Sequence, residues 1–107
     1  MTDATPRATL KGALDRHVAT LVAMATPDWP ISADHCFLRV AYDNAMGDRW
    51  DQAARRPAWR HLPLDRLAVA VDILARIAAE GLPLLAALNT ISLDYRRRHA
   101  HALRHHP

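Results

Sequence analysis

The chain has 107 residues, 50% of them hydrophobic and 23% charged, a balance that suits one folded domain and excludes a disordered tail. Its single cysteine, Cys36, excludes an internal disulfide and any zinc site built from several thiolates. The net charge of +3 is modest but uneven, since residues 49–61 carry four arginines against Asp51 and residues 95–107 carry four arginines and no acid, leaving −4 for the remainder.

Thr5 followed by Pro6 makes a capped start with proline at the first helical position, and Leu10, Leu14, Val18 and Leu21 recur at helical spacing. This predicts a first helix over about 6–25, with His17 on its apolar side. The prolines of "TPDWPI" end it, because proline removes a donor and restricts the residue before it. No glycine-rich linker or internal repeat follows. Ser32 is the expected cap of a second helix over about 33–46, with Gly47 suited to the left-handed position that closes it. On that helix Ala33, Phe37, Val40, Ala41 and Asn44 share one face, while His35, Arg39, Tyr42 and Asp43 share another.

Asp48 is read as the cap of a short helix through Arg56, after which Pro57 or Pro63 begins new local structure. Pro63 and Asp65 open the clearest element, "LDRLAVAVDILARIAAE" over 64–80, closed by Gly81. Leu67, Ala70, Val71, Ile73, Leu74 and Ile77 form an apolar arc too wide for one neighbour to cover, so this helix is expected at the centre of a bundle. A last helix is carried by Leu84, Leu88, Ile91 and Tyr95, and its end, "RRRHAHALRHHP", is expected to fray. No stretch alternates like a strand. The fold class expected is therefore all-α: a compact bundle of four to five helices in a single domain, with residues 1–95 as the bundle and 96–107 as a basic, His-rich helix end or tail.

No motif discloses a function. Glycines at 12, 47 and 81 alone cannot build a phosphate-cradling loop, and no serine sits in a nucleophile elbow. His35, Arg39 and Asp43 stand at intervals of four beside Cys36, and an Arg39–Asp43 ion pair is the expectation for such spacing. A thiol nucleophile there is opposed by geometry, since His35 and Cys36 are neighbours that diverge on a helix. His101 and His105 stand one turn apart, with His99 and His106 nearby, but without acidic or thiolate ligands they make a weak metal signal. Asn44 and Asn89 are read as satisfying backbone groups or setting helix register. No metal and no cofactor is expected.

Two basic segments remain. In "RWDQAARRPAWRHLP" arginines alternate with Trp50 and Trp59, the pattern of guanidinium groups for phosphates and rings for bases. The tryptophans are also candidates for burial, with the arginines left in solvent. The expected function is a small non-enzymatic binding module that engages an acidic partner, with nucleic acid slightly favoured. Its contacts would be Arg49, Arg55, Arg56, Arg60, Arg96, Arg97 and Arg98. The rival is an adaptor or inhibitor that docks a helix face on a larger protein, or on a second copy as a homodimer, through Leu38, Tyr42 and Trp50. The start, "MTDATPRATLKG", lacks the order of a signal peptide. No apolar run approaches the roughly 18 residues of a membrane span. A cytoplasmic protein without a membrane partner is the expectation.

Overall fold

A computed structural model describes residues 5–104, which form five α-helices and no strand: α1 (Pro6–Met24), α2 (Asp34–Met46), α3 (Ala58–His61), α4 (Leu64–Glu80) and α5 (Leu82–Arg104). The all-α bundle is as the sequence predicts. At the start of α1 the Thr5 hydroxyl accepts the Ala8 amide at 3.0 Å. Pro6 occupies a position where a missing N–H costs nothing. The second helix differs at its cap: Ala33, not Ser32, takes that place, with no side-chain hydrogen bond. Gly47, at φ 72°, closes α2 in the left-handed region, and its amide returns to the Asp43 carbonyl.

α4 packs against α1, α2 and α5, and so holds the centre of the bundle. Its buried residues, Leu67, Ala70, Ile73, Leu74 and Ile77, all belong to the predicted arc, whose remaining member, Val71, is partly buried. They meet Leu14, Val18 and Leu21 of α1 and Phe37, Val40 and Ala41 of α2 in one core. Each large aliphatic side chain buried there contributes about 1.5–3 kcal/mol. Arg7 of α1 donates to the carbonyls of Trp59 and Leu62 at 3.1 and 2.7 Å, fastening the end of α3 to the bundle.

Further expectations are corrected. The stretch from Asp48 to Arg56 is not a helix but a single 3₁₀ turn, Trp50–Gln52, followed by irregular chain up to α3. The Trp50 amide is taken by the Asp43 carboxylate at 3.0 Å, and its ring packs edge-on against Tyr42 with centroids 5.5 Å apart. Pro57 then disfavours helical backbone at Arg56. In α5, Leu84 and Leu88 are only partly buried and Ile91 is 40% exposed. The face turned inward runs Leu85, Asn89, Ser92, in steps of four and three, and reaches Arg96 after four more. Gly81, at φ 78°, is the only residue between α4 and α5, and α5 continues without a break through its basic end to Arg104.

Candidate functional site: a cationic groove over a buried carboxylate

The polar face of α5 meets the polar side of α2 around Asp43, which has no solvent exposure. Both of its oxygens are occupied. Oδ1 accepts from the Trp50 amide at 3.0 Å and from Arg96 Nη2 at 3.1 Å, while Oδ2 accepts from Ser92 Oγ at 2.6 Å and Arg96 Nε at 2.9 Å. These four hydrogen bonds, two of them from a guanidinium, leave neither oxygen of the buried carboxylate without a partner.

Arg39 does not pair with Asp43. Its Nη1 donates to Ser92 Oγ at 2.7 Å and its Nη2 to Asn89 Oδ1 at 2.8 Å, so among the described residues its guanidinium is held by neutral acceptors alone. Ser92 sits between the two charges, accepting from Arg39 and donating to Asp43. Asn44 bridges the same helices by donating to the carbonyls of Val40 and Leu88.

Above this network lies a groove of about 450 Å³ lined by His35, Leu38, Arg39, Tyr42, Trp50, Arg56, Pro57, Ala58, Trp59 and Arg96. It combines an apolar and aromatic floor with guanidinium groups from three parts of the chain. Asp51, mostly buried, binds Arg49 at 2.7 Å and Arg56 at 3.2 Å. The hydrogen bond from Arg49 holds the Asp51 carboxyl below its ordinary 3.8 against the opposing effect of burial. Among the described residues, Arg49, Arg56 and Arg96 pair with two carboxylates, Asp51 and Asp43, and Arg39 with none. The local balance is positive.

The structure brings together some of the sequence-predicted residues and separates others. Arg56 and Arg96, from the two basic segments, line the same groove. Arg56 is 74% exposed and lies over the Trp50 ring at 5.0 Å. Arg49 is partly covered by its pairing with Asp51, and Arg60 lies over Trp59 at 5.1 Å. Arg55 and Arg97 are exposed, and Arg98 reaches Asp94 at 3.3 Å. Tyr42 and Trp50 are buried at 5% and 6% exposure, leaving Leu38 as the more accessible of the three residues read as protein contacts. Burial, with the charge of Asp15 second, pushes the Tyr42 phenol up to about 12.

Neither Cys36 nor Asp43 lines the groove with His35. Among the described residues no three metal-ligating side chains gather. His105 and His106 lie outside the described residues. His99 is engaged with Asp48 at 2.9 Å, a contact that lowers the Asp48 carboxyl below 3.8.

The sequence reading missed Arg39, Asn89 and Ser92 as site residues. Their signal was a polar stripe, Asn89, Ser92 and Arg96, sharing an α5 face with Leu85. Comparison with protein-family models, curated proteins and solved structures finds no match to the chain. No helix of the described residues is long and apolar enough to cross a membrane.

Proposed function

We propose that this chain is a non-enzymatic cytoplasmic binding module that engages nucleic acid through its arginines. The observation that carries this reading is the meeting of Arg56 and Arg96 in one groove, with Arg39 between neutral acceptors and the partly exposed Trp59 in the wall. Guanidinium groups grip phosphate oxygens with paired donors, and aromatic walls accept bases without selecting among them. Arg55, Arg60, Arg97 and Arg98 are exposed and add further guanidinium groups to the surface of the chain.

Gel-shift titrations with DNA and RNA of unrelated sequence test the reading. Binding should be similar across sequences and weakened by the double substitution Arg97→Glu, Arg98→Glu, because phosphate contacts carry affinity without reading bases. Absence of binding to every strand, or binding that the double substitution leaves unchanged, would contradict it.

A further inference from the structure

We infer that the groove between α2, α5 and the Trp50–Trp59 segment is a site for one nucleotide unit, with Arg39 as its phosphate anchor and the Trp59 side of the groove as its base wall. This inference rests on the nucleic-acid reading and assigns a chemical unit to a defined place within it.

Arg39 differs from the other groove cations. Arg96 is committed to Asp43 through two hydrogen bonds, and Arg56 shares Asp51 with Arg49. Arg39 has no carboxylate partner among the described residues, yet it is not loose, since Ser92 and Asn89 hold both of its terminal nitrogens. Ser92 is fully buried and itself fixed by Asp43, while Asn89 is 7% exposed. A guanidinium fixed from behind by buried neutral groups keeps donors and an unpaired charge for a ligand. That is a preorganised anion site.

The surroundings indicate which anion. Arg56 and Arg96 flank the same groove, so donors from three guanidinium groups, Arg39 among them without a carboxylate partner in the described residues, converge on it, as suits a phosphate more than a single carboxylate. Pro57, Ala58 and Trp59 supply an apolar wall beside it. A groove of about 450 Å³ falls in the range that encloses small ligands. A phosphate joined to a planar base satisfies both halves, whether the unit is a free mononucleotide or part of a strand.

The test is tryptophan fluorescence of the full chain, since two of its three tryptophans, Trp50 and Trp59, line the groove. The titrants are uridine 5′-monophosphate, uridine, inorganic phosphate, a short oligouridylate and an oligoglutamate peptide. The monophosphate should give a saturable change, with uridine weaker by about tenfold or more. Arg39→Gln, with its fold verified by circular dichroism, should lose about tenfold or more. Arg56→Gln, on an exposed side chain and with its fold verified in the same way, should lose severalfold, whereas Arg76→Gln on α4 should match the wild type.

An oligouridylate that binds more tightly than the monophosphate and loses the same factor in Arg39→Gln identifies the ligand as a strand. Equal affinities identify the free nucleotide. Monophosphate and uridine binding alike, oligoglutamate binding best, or Arg39→Gln and Arg56→Gln both matching the wild type would overturn the inference. If strands still bind in that case, the nucleic-acid reading survives it. If the monophosphate binds through Arg39 and strands do not, the groove assignment stands and the nucleic-acid reading falls.

Discussion

Arg96 of α5 donates hydrogen bonds of 2.9 and 3.1 Å to the two oxygens of Asp43 of α2, across 53 positions of sequence. Because Ser92 and the Trp50 amide use the same carboxylate, one buried anion joins α2, α5 and the turn that follows Gly47. The groove stands on that junction. Its shape and its stability therefore have a common origin.

Removing the anion should be costly. Asp43→Ala leaves Arg96, Ser92 and the Trp50 amide without their acceptor, and loss of one partner from a buried pair typically costs about 3–5 kcal/mol. Arg96→Met should cost less, since Arg96 is 24% exposed at its side chain and Ser92 and the Trp50 amide still serve Asp43. Urea denaturation of the two single variants and the double variant measures both effects. Additive losses would show that the pair does not act as a unit.

The centre of the bundle should be intolerant of cavities. Leu74 is fully buried on α4, and Leu74→Ala should lose about 2–5 kcal/mol. Leu103, 75% exposed on α5, should tolerate alanine within about 0.5 kcal/mol. Thermal unfolding distinguishes the two, and equal effects would place the core elsewhere.

Acid should weaken the turn that carries Arg49 and Arg56. The Asp51 carboxyl is lowered below 3.8, so its contribution is complete above that value and is lost as pH falls through the lower, folded-state value. Asp51→Asn should flatten the loss of stability below about pH 4 while changing stability at neutral pH by only about 1 kcal/mol. Chemical denaturation at a series of pH values measures this slope, and an unchanged acid slope in Asp51→Asn would contradict the assignment.

Alkali acts through Tyr42. Its phenol is raised from 10.0 to about 12, so the stabilising difference is complete below pH 10 and is lost as pH rises toward 12. Ultraviolet titration of the folded chain should show one tyrosine ionising about two units above an ordinary phenol. Tyr42→Phe should remove that late step. A titration in which the step persists in Tyr42→Phe would contradict the assignment.

The elements whose signals are local were legible in the sequence. Thr5 with Pro6, Gly47 and Gly81 mark helix ends by short-range chemistry, and the apolar residues of α4 reveal its central place by period alone. The segment from Asp48 to Arg56 was not legible, because its amide and ring partners, Asp43 and Tyr42, lie outside it. Local helix chemistry also pointed Arg39 to Asp43 at a spacing of four. The folded chain offers Asp43 a better set of partners from α5, and Arg39 turns to Asn89 and Ser92 instead. Of the candidate site, the arginine segments could be seen in advance, whereas the residue that organises them could not, because it has no local mark.

The most direct test of nucleic-acid binding is the salt dependence of affinity for a single-stranded oligonucleotide. If the arginines contact phosphates, affinity should fall by about tenfold or more between roughly 50 and 200 mM salt, and Arg97→Glu with Arg98→Glu should make the logarithmic slope shallower. A salt-independent affinity, or the same slope in wild type and variant, would contradict the account.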